Sequence, residues 1–186
     1  MNYQIDYQNL QNQTGFENFS QEITKLSSFN SETTYNEYCR AVLALWKKHF
    51  PQGKEQTNTF QEFLAKIDQE PQLSIKTPWG GVYIIKHEHP HVEKYLVVKQ
   101  DGYLALEKHA EKMEKLIVKE GAGFLLYGTS VEGQLSAKIL TPGVEASFIP
   151  GQLHCIIGTE DLLIYEISED YKGMDQDLIF IFTPQA

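Results

Sequence analysis

A chain of 186 residues is long enough for one ordinary domain with a full core, or for a domain with an appendage. Its 41% apolar and 22% charged residues are the balance of a globular protein that buries a core. The net charge of −9 and the pI of about 5.1 exclude a nucleic-acid partner, because phosphate backbones are bound by basic surfaces. An acidic protein still has room for a local basic pocket that holds a phosphorylated small molecule. No membrane partner is expected, since the longest apolar runs, such as Leu178 to Phe182, are too short to span a bilayer. The first residues, MNYQIDYQNLQNQTG, have neither a basic nor an apolar leader region, so a cytoplasmic protein is expected. Cys39 and Cys155 define neither a disulfide framework nor a zinc knuckle.

Met1 to Gln13 are rich in Asn, Gln and Tyr and show no period, which predicts a frayed or loosely docked tail. Three Thr-x-x-Glu signatures then predict helix starts: Thr14 with Glu17, Thr34 with Glu37 and Thr59 with Glu62. The stripes behind them are Phe16, Phe19, Ile23 and Leu26; Tyr35, Cys39, Val42, Trp46 and Phe50; and Phe60, Phe63, Leu64 and Ile67. Pro51 with Gly53 stops the second helix, and Pro71 follows the third. Near Pro71 the helical period gives way to alternation. Short runs follow from Val82–Ile85 through Tyr103–Glu107 to Leu178–Phe182, about ten of them at spacings of roughly 8–12 residues. Turn signals such as Gln100-Asp101-Gly102, Lys119-Glu120-Gly121, Glu132-Gly133 and Pro150-Gly151 separate them. This pattern predicts an all-β sandwich or barrel. Residues 1–72 are therefore read as a helical segment that packs on the barrel or in a dimer interface, and residues 73–186 as the β-barrel domain.

His87-Glu88-His89-Pro90-His91 satisfies H-E-x-x-H, but that zinc motif needs a helix to bring its histidines to one face. Pro90 breaks such a helix, and both flanks are strand-like. A hairpin with exposed histidines is expected instead of a protease.

A second cluster fits strands. Glu107 and His109 are two apart, so their side chains share a face. Glu114 opens the next run, and His154 follows the Pro150-Gly151 corner. Two carboxylates and two imidazoles can then converge on one cation, with Glu111 as a substitute ligand. Ala105, Glu107 and His109 are expected to face inward, and Leu104 and Leu106 outward under a helical cover. Cys155, next to His154, and Lys108 are expected to point away from the ligands, and Lys112 and Lys115 to lie solvated near a turn. Lys94, Tyr95 and Lys99 are candidates for the barrel mouth.

Order and spacing resemble the cupin superfamily, whose first motif runs G-x5-H-x-H-x(3,4)-E-x6-G and whose second contains P-x-G-x2-H. Glu107-x-His109, four residues, Glu114, six residues and Gly121 follow the first, with Glu107 at the first histidine position and Asp101 at the opening glycine. Pro150-Gly151-Gln152-Leu153-His154 follows the second with one residue fewer. Within cupins the chain is most similar to the C-terminal domain of type II mannose-6-phosphate isomerases. Pro78-Trp79-Gly80, Lys94 to Lys99, Leu104 to His109, Glu114 to Gly121 and Tyr171 to Ile179 carry that likeness, which covers roughly Pro78 to Ile179. Four positions depart from it: Glu107 stands for a ligand Gln, Lys112 for an Arg, Leu116 for a Trp and Phe180 for an Arg.

The resemblance implies a mainly β, cupin-type double-stranded β-helix, or jelly-roll barrel, behind the helical segment. It implies a divalent metal ion (Zn, Mn, Fe or Ni) on Glu107, His109, Glu114 and His154. The expected partner is a small molecule, a sugar or sugar phosphate, in a protein that forms a homodimer. Three functions compete: a metal-dependent sugar or sugar-phosphate isomerase or epimerase with Lys112 and Glu114 as catalytic groups, a non-catalytic binding cupin, and an iron-dependent oxygenase. Loss of the Arg and Trp positions favours the second, and a triad of His109, His154 and one glutamate the third.

Overall fold

The alternating runs after Pro71 each carry one apolar face, and they hide it by pairing into sheets that face one another. The computed structural model describes residues 1–11, 15–51, 58–129 and 133–185. Its elements are β1 (Gln4–Asp6), α1 (Gln8–Gln11), α2 (Glu17–Ile23), α3 (Glu32–His49), α4 (Asn58–Gln69), β2 (Ser74–Thr77), β3 (Gly80–Glu88), β4 (His91–Val98), β5 (Leu106–His109), β6 (Met113–Glu120), β7 (Gly123–Thr129), β8 (Gln134–Leu140), β9 (Glu145–Phe148), β10 (Gln152–Gly158), β11 (Leu162–Glu169) and β12 (Leu178–Phe182). One sheet runs β1-β8-β7-β10-β5-β12 and the other β2-β3-β4-β11-β6-β9. Apart from β1 on β8, which is parallel, every strand pair is antiparallel. The expected runs are strands except Tyr103–Glu107, where β5 begins only at Leu106 and Tyr103 makes an isolated bridge to Ile157; β3 and β4 meet as the expected hairpin, with exposed His87 and His89 near its tip.

Between the sheets lie Leu96 and Val98 of β4, Leu116 and Val118 of β6, Leu125 of β7, Ile156 of β10 and Ile164 of β11. The intervening residues point outward and meet helices. Val97 and Leu163 pack under Phe60 and Ile67 of α4. Phe124, Leu126, Leu153 and Cys155 form one cluster with Phe19 and Ile23 of α2 and Tyr35, Cys39, Val42 and Trp46 of α3. Where helices cover the outer face, as along most of β7 and β10, the strand is buried on both sides, whereas β6 keeps its alternation.

Several expectations are corrected. The first residues are not a frayed tail: β1 pairs with β8, and Tyr3, Tyr7 and Leu10 are buried in the helical cluster. A three-residue strand and a single helical turn are too short to show a period, so their buried anchors left no pattern to read. Helix α3 starts earlier than expected, with Ser31 as N-cap and Thr34 as its capping-box partner; Glu37 takes no part in the box. Thr59 lies inside α4, whose first residue is Asn58. Thr14, Gly53 and Glu132 lie outside the described residues.

Leu104 faces the barrel interior, not the helices, while Leu106 does pack against them. The two-residue period starts only at Leu106, because Leu104 and Ala105 lie outside the strand, between the Tyr103 bridge to Ile157 and the start of β5. Gly121 closes the β6–β7 turn at φ 77, and a Cβ there would lie 1.8 Å from the carbonyl oxygen of Asp161. No other residue type fits that approach.

Candidate metal centre

Three strands deliver the site. Glu107 and His109 alternate inward on β5, and His154 on β10 is the direct cross-strand partner of Glu107. Glu114 reaches across from β6 in the facing sheet. Glu114 Oε1 is 3.0 Å from His154 Nε2, and Oε2 is 3.7 Å from His109 Nε2. One donor atom from each of His109, Glu114 and His154 lies within 4.8 Å of the others, and all three residues are buried. Glu107 stands at the edge of this group, its Oε1 3.9 Å from His154 Nε2.

Both imidazoles are held from behind. His109 Nδ1 bonds Asp177 Oδ1 at 2.9 Å, and His154 Nδ1 bonds the Gln152 carbonyl at 3.3 Å. Each Nε2 is thereby turned toward the shared centre, the arrangement that orients imidazole ligands in metal sites. The His154 ring also stacks on Phe148, with centroids 4.5 Å apart. Asp177 Oδ2 accepts the backbone N–H groups of Glu111 and Lys112, so one carboxylate ties the β11–β12 loop to the start of β6.

The surrounding charges are unevenly matched. Lys112 Nζ lies 2.7 Å from Glu114, 2.6 Å from Glu166 and 2.7 Å from Asp175. Lys94 Nζ lies 3.3 Å from Glu166 and 2.5 Å from Asp175. Five carboxylates (Glu107, Glu114, Glu166, Asp175 and Asp177) thus face two ammonium groups. Burial pushes the Glu107 carboxyl up to about 7. Burial also opposes a charge on His154, but Glu114 and Glu107 overcome it and raise the imidazole to about 9. A buried cluster that draws positive charge onto a histidine is short of cations, and two imidazoles with a carboxylate are donors suited to a divalent transition-metal ion.

All of these residues except Asp177, which holds His109 from behind, line one cavity of about 670 Å³. Its polar end is the cluster above; Val82, Leu96, Leu104, Leu116 and Ile156 form apolar walls, with Trp79 and Phe180 also at its lining. Tyr95 packs outward against α4, and Lys99 is exposed, so of the three mouth candidates Lys94 alone lines the cavity. Lys112 is the main departure from expectation. Its side chain is 1% exposed, because three carboxylates compensate an ammonium that would otherwise stay in water. Lys115 does remain partly exposed, beside Glu145. Glu111 faces out to Lys172 and does not line the cavity, so it is no substitute ligand. Cys155 points away into the helical cluster, as expected.

No local pattern gives Asp175, Asp177 or Glu166 a role in the site. The acidic pair Asp175-x-Asp177, inside the stretch that resembles the isomerases, was the available signal.

No family profile matches the chain, and no curated protein sequence matches it. Solved structures do. The chain is similar to the capsular polysaccharide assembling protein CapF of Staphylococcus aureus, with TM-score 0.52, 17% identity, and coverage of 60% of this chain and 34% of CapF. It is similar to Bacillus subtilis oxalate decarboxylase in a structure concerned with that enzyme's Mn(II) centres, with TM-score 0.51, 18% identity, and coverage of 60% and 30%. Lactobacillus farciminis oxalate decarboxylase in its formate complex gives TM-score 0.50 and 16% identity over 58% of this chain and 33% of that one. This chain spans about a third of the length of each of these three structures. The shared feature is the fold, and it is the cupin fold. Among the described residues no helix is long and apolar enough to cross a membrane.

Proposed function

We propose that this chain is a metal-dependent cupin enzyme in which His109, Glu114 and His154 hold a divalent ion and a small molecule binds beside it in the cavity. The observation that carries this reading is the convergence of two Nε2 atoms and one carboxylate, each imidazole fixed through its Nδ1. The Mn(II) centres of the Bacillus subtilis enzyme, which has the same fold, support a divalent ion here.

The reaction class that fits these groups is isomerisation or epimerisation of a hydroxy-carbonyl compound, and the resemblance points to a sugar or sugar phosphate. A bound divalent ion supplies Lewis-acid polarisation of the substrate oxygens. Glu107, on the cavity wall beside the cluster, is placed to take and return the substrate proton. Burial disfavours charge on Lys112, but Glu166, Glu114 and Asp175 overrule it and hold the ammonium protonated well above its ordinary range. Lys112 therefore acts as a fixed positive charge toward a developing oxyanion, not as a base. Glu114 orients both the ion and Lys112, since one of its oxygens faces each histidine and Oε2 also meets Lys112.

Metal analysis of untagged protein tests the centre. One divalent equivalent is expected in the wild type, its loss in His154→Ala, and retention in Glu107→Gln. Wild-type metal content in His154→Ala would sink the reading. A second reading, an iron-dependent oxygenase, is favoured by the two-histidine, one-carboxylate donor set. Oxygen uptake that requires iron(II) selects it; aldose–ketose exchange on a sugar-phosphate panel with a redox-inert metal selects the isomerase.

A further inference from the structure

We propose that Lys94 and Lys112 form an anion subsite of this cavity, and that Asp175 is a built-in anion occupying it until a carboxylate or phosphate group of the ligand takes its place. The proposal rests on the reading of the cavity as a metal-assisted ligand site and names the chemistry of that ligand.

Asp175 bridges the two lysines with separate oxygens, Oδ2 on Lys94 at 2.5 Å and Oδ1 on Lys112 at 2.7 Å. A ligand carboxylate, or one edge of a phosphate, makes the same two contacts. The other members of the network are fixed on strands or directly beside them: Lys94 on β4, Glu166 on β11, and Lys112 one residue before β6. Asp175 instead arrives on the loop between β11 and β12. Its side chain is 21% exposed, against 3% or less for Lys94, Lys112 and Glu166.

Backbone conformation points the same way. Met174 and Asp175 have φ of 49° and 60°, a left-handed pair that residues with side chains rarely adopt. Such strain persists only where contacts over-determine it, and it concentrates at ligand clamps. The Asp170 carboxylate accepts the N–H groups of Gly173 and Asp175, and Asp177 anchors the far end on His109. The turn is thus held on both sides of Asp175 by bonds that do not involve the lysines.

Displacing the Asp175 carboxylate leaves Lys112 with Glu166 and Glu114, and Lys94 with Glu166 alone at 3.3 Å. Lys94 then lacks its 2.5 Å partner, and a buried ammonium left with one longer contact selects an anion, because its field is little screened there. Lys112 Nζ lies 2.7 Å from a proposed metal ligand, so an anion on the lysines is adjacent to the metal. The ligand class follows: a small molecule that chelates the metal through oxygen and carries a carboxylate or phosphate a few atoms away.

Thermal unfolding of Asp175→Ala and Asp175→Asn, with inorganic phosphate, acetate, or chloride at matched ionic strength, tests this. Both variants are expected to melt below wild type and to gain roughly 3–6 °C at an anion concentration about ten times its dissociation constant, the gain rising with the logarithm of concentration above it. The wild type and the Asp175→Ala/Lys94→Met double variant should gain no more from phosphate or acetate than from chloride. The stronger of the phosphate and acetate responses identifies the head group. Equal responses in wild type and variants, or survival of the response in the double variant, overturn the proposal. Failure of both single variants to fold in every anion makes Asp175 a structural strut and overturns it equally. Metal content of the same samples separates the two readings: a normal metal load without an anion response removes the subsite alone, whereas metal retained by His154→Ala removes the centre.

Discussion

His109 Nδ1 and Asp177 Oδ1 are bonded at 2.9 Å, and the second oxygen of Asp177 holds the N–H groups of Glu111 and Lys112. One carboxylate from the β11–β12 loop therefore orients a β5 imidazole and fixes the chain where β6 begins. It gives His109 a single useful ring orientation, with Nε2 toward Glu114.

Asp177→Asn keeps the shape and removes the charge. Its metal affinity is expected to fall by about 10–100-fold, the usual cost of disturbing a carboxylate behind a ligand histidine. Competition with a chromophoric chelator measures this, with circular dichroism to confirm an unchanged fold. Wild-type affinity would show that the bond does not tune the site.

Lys112 touches Glu114, Glu166 and Asp175 together, whereas Lys94 reaches only the last two. Lys112→Met has a similar length but leaves those buried carboxylates short of a counter-charge. A loss of about 3–5 kcal/mol is expected from urea unfolding, as for other buried pairs that lose one partner. A loss under about 1 kcal/mol, the range of exposed pairs, would mean that Lys94 alone balances the cluster.

Tyr35 of α3 donates its hydroxyl to the Leu104 carbonyl and lies 2.8 Å from Cys155 Sγ, so a helix fixes the wall of the cavity. Tyr35→Phe leaves that carbonyl only the longer contact from Cys155 Sγ at 3.5 Å and should cost about 1–3 kcal/mol. Denaturant midpoints check the stability. Any change in ligand-induced thermal shift reports whether the wall has moved.

Burial works against ionisation of Asp175, but Lys94 and Lys112 overrule it and hold its carboxyl well below the ordinary 3.8. Between the folded and unfolded values the unfolded chain binds more protons, so this contribution weakens as pH falls. It is complete above the unfolded value and is lost as pH drops through the folded one. The stability gap between wild type and Asp175→Asn should be constant from about pH 7 to about pH 5 and narrow below about pH 4. Urea midpoints across that range decide it; a gap unchanged in strong acid would show that the charge contributes nothing.

The sequence by itself determined the class of fold and the position of most strands, because alternation with period two survives wherever a strand has one face inside a barrel. It also placed Glu107, His109, Glu114 and His154 on strands, since i and i+2 share a face and the Pro150-Gly151 corner starts β10. Tertiary structure decided the rest. Leu104 faces inward because it and Ala105 lie ahead of β5 in irregular chain, where local alternation has no meaning. Lys112 became buried only because Glu114, Glu166 and Asp175 arrive from a neighbouring residue, another strand and a distant loop. Asp177 stands 68 residues from the histidine it orients. The four-residue set proposed as ligands was legible as spacing. Its resolution into three converging donors and a flanking Glu107, with a lysine pair capped by Asp175, depends on distances across two sheets that no local pattern encodes.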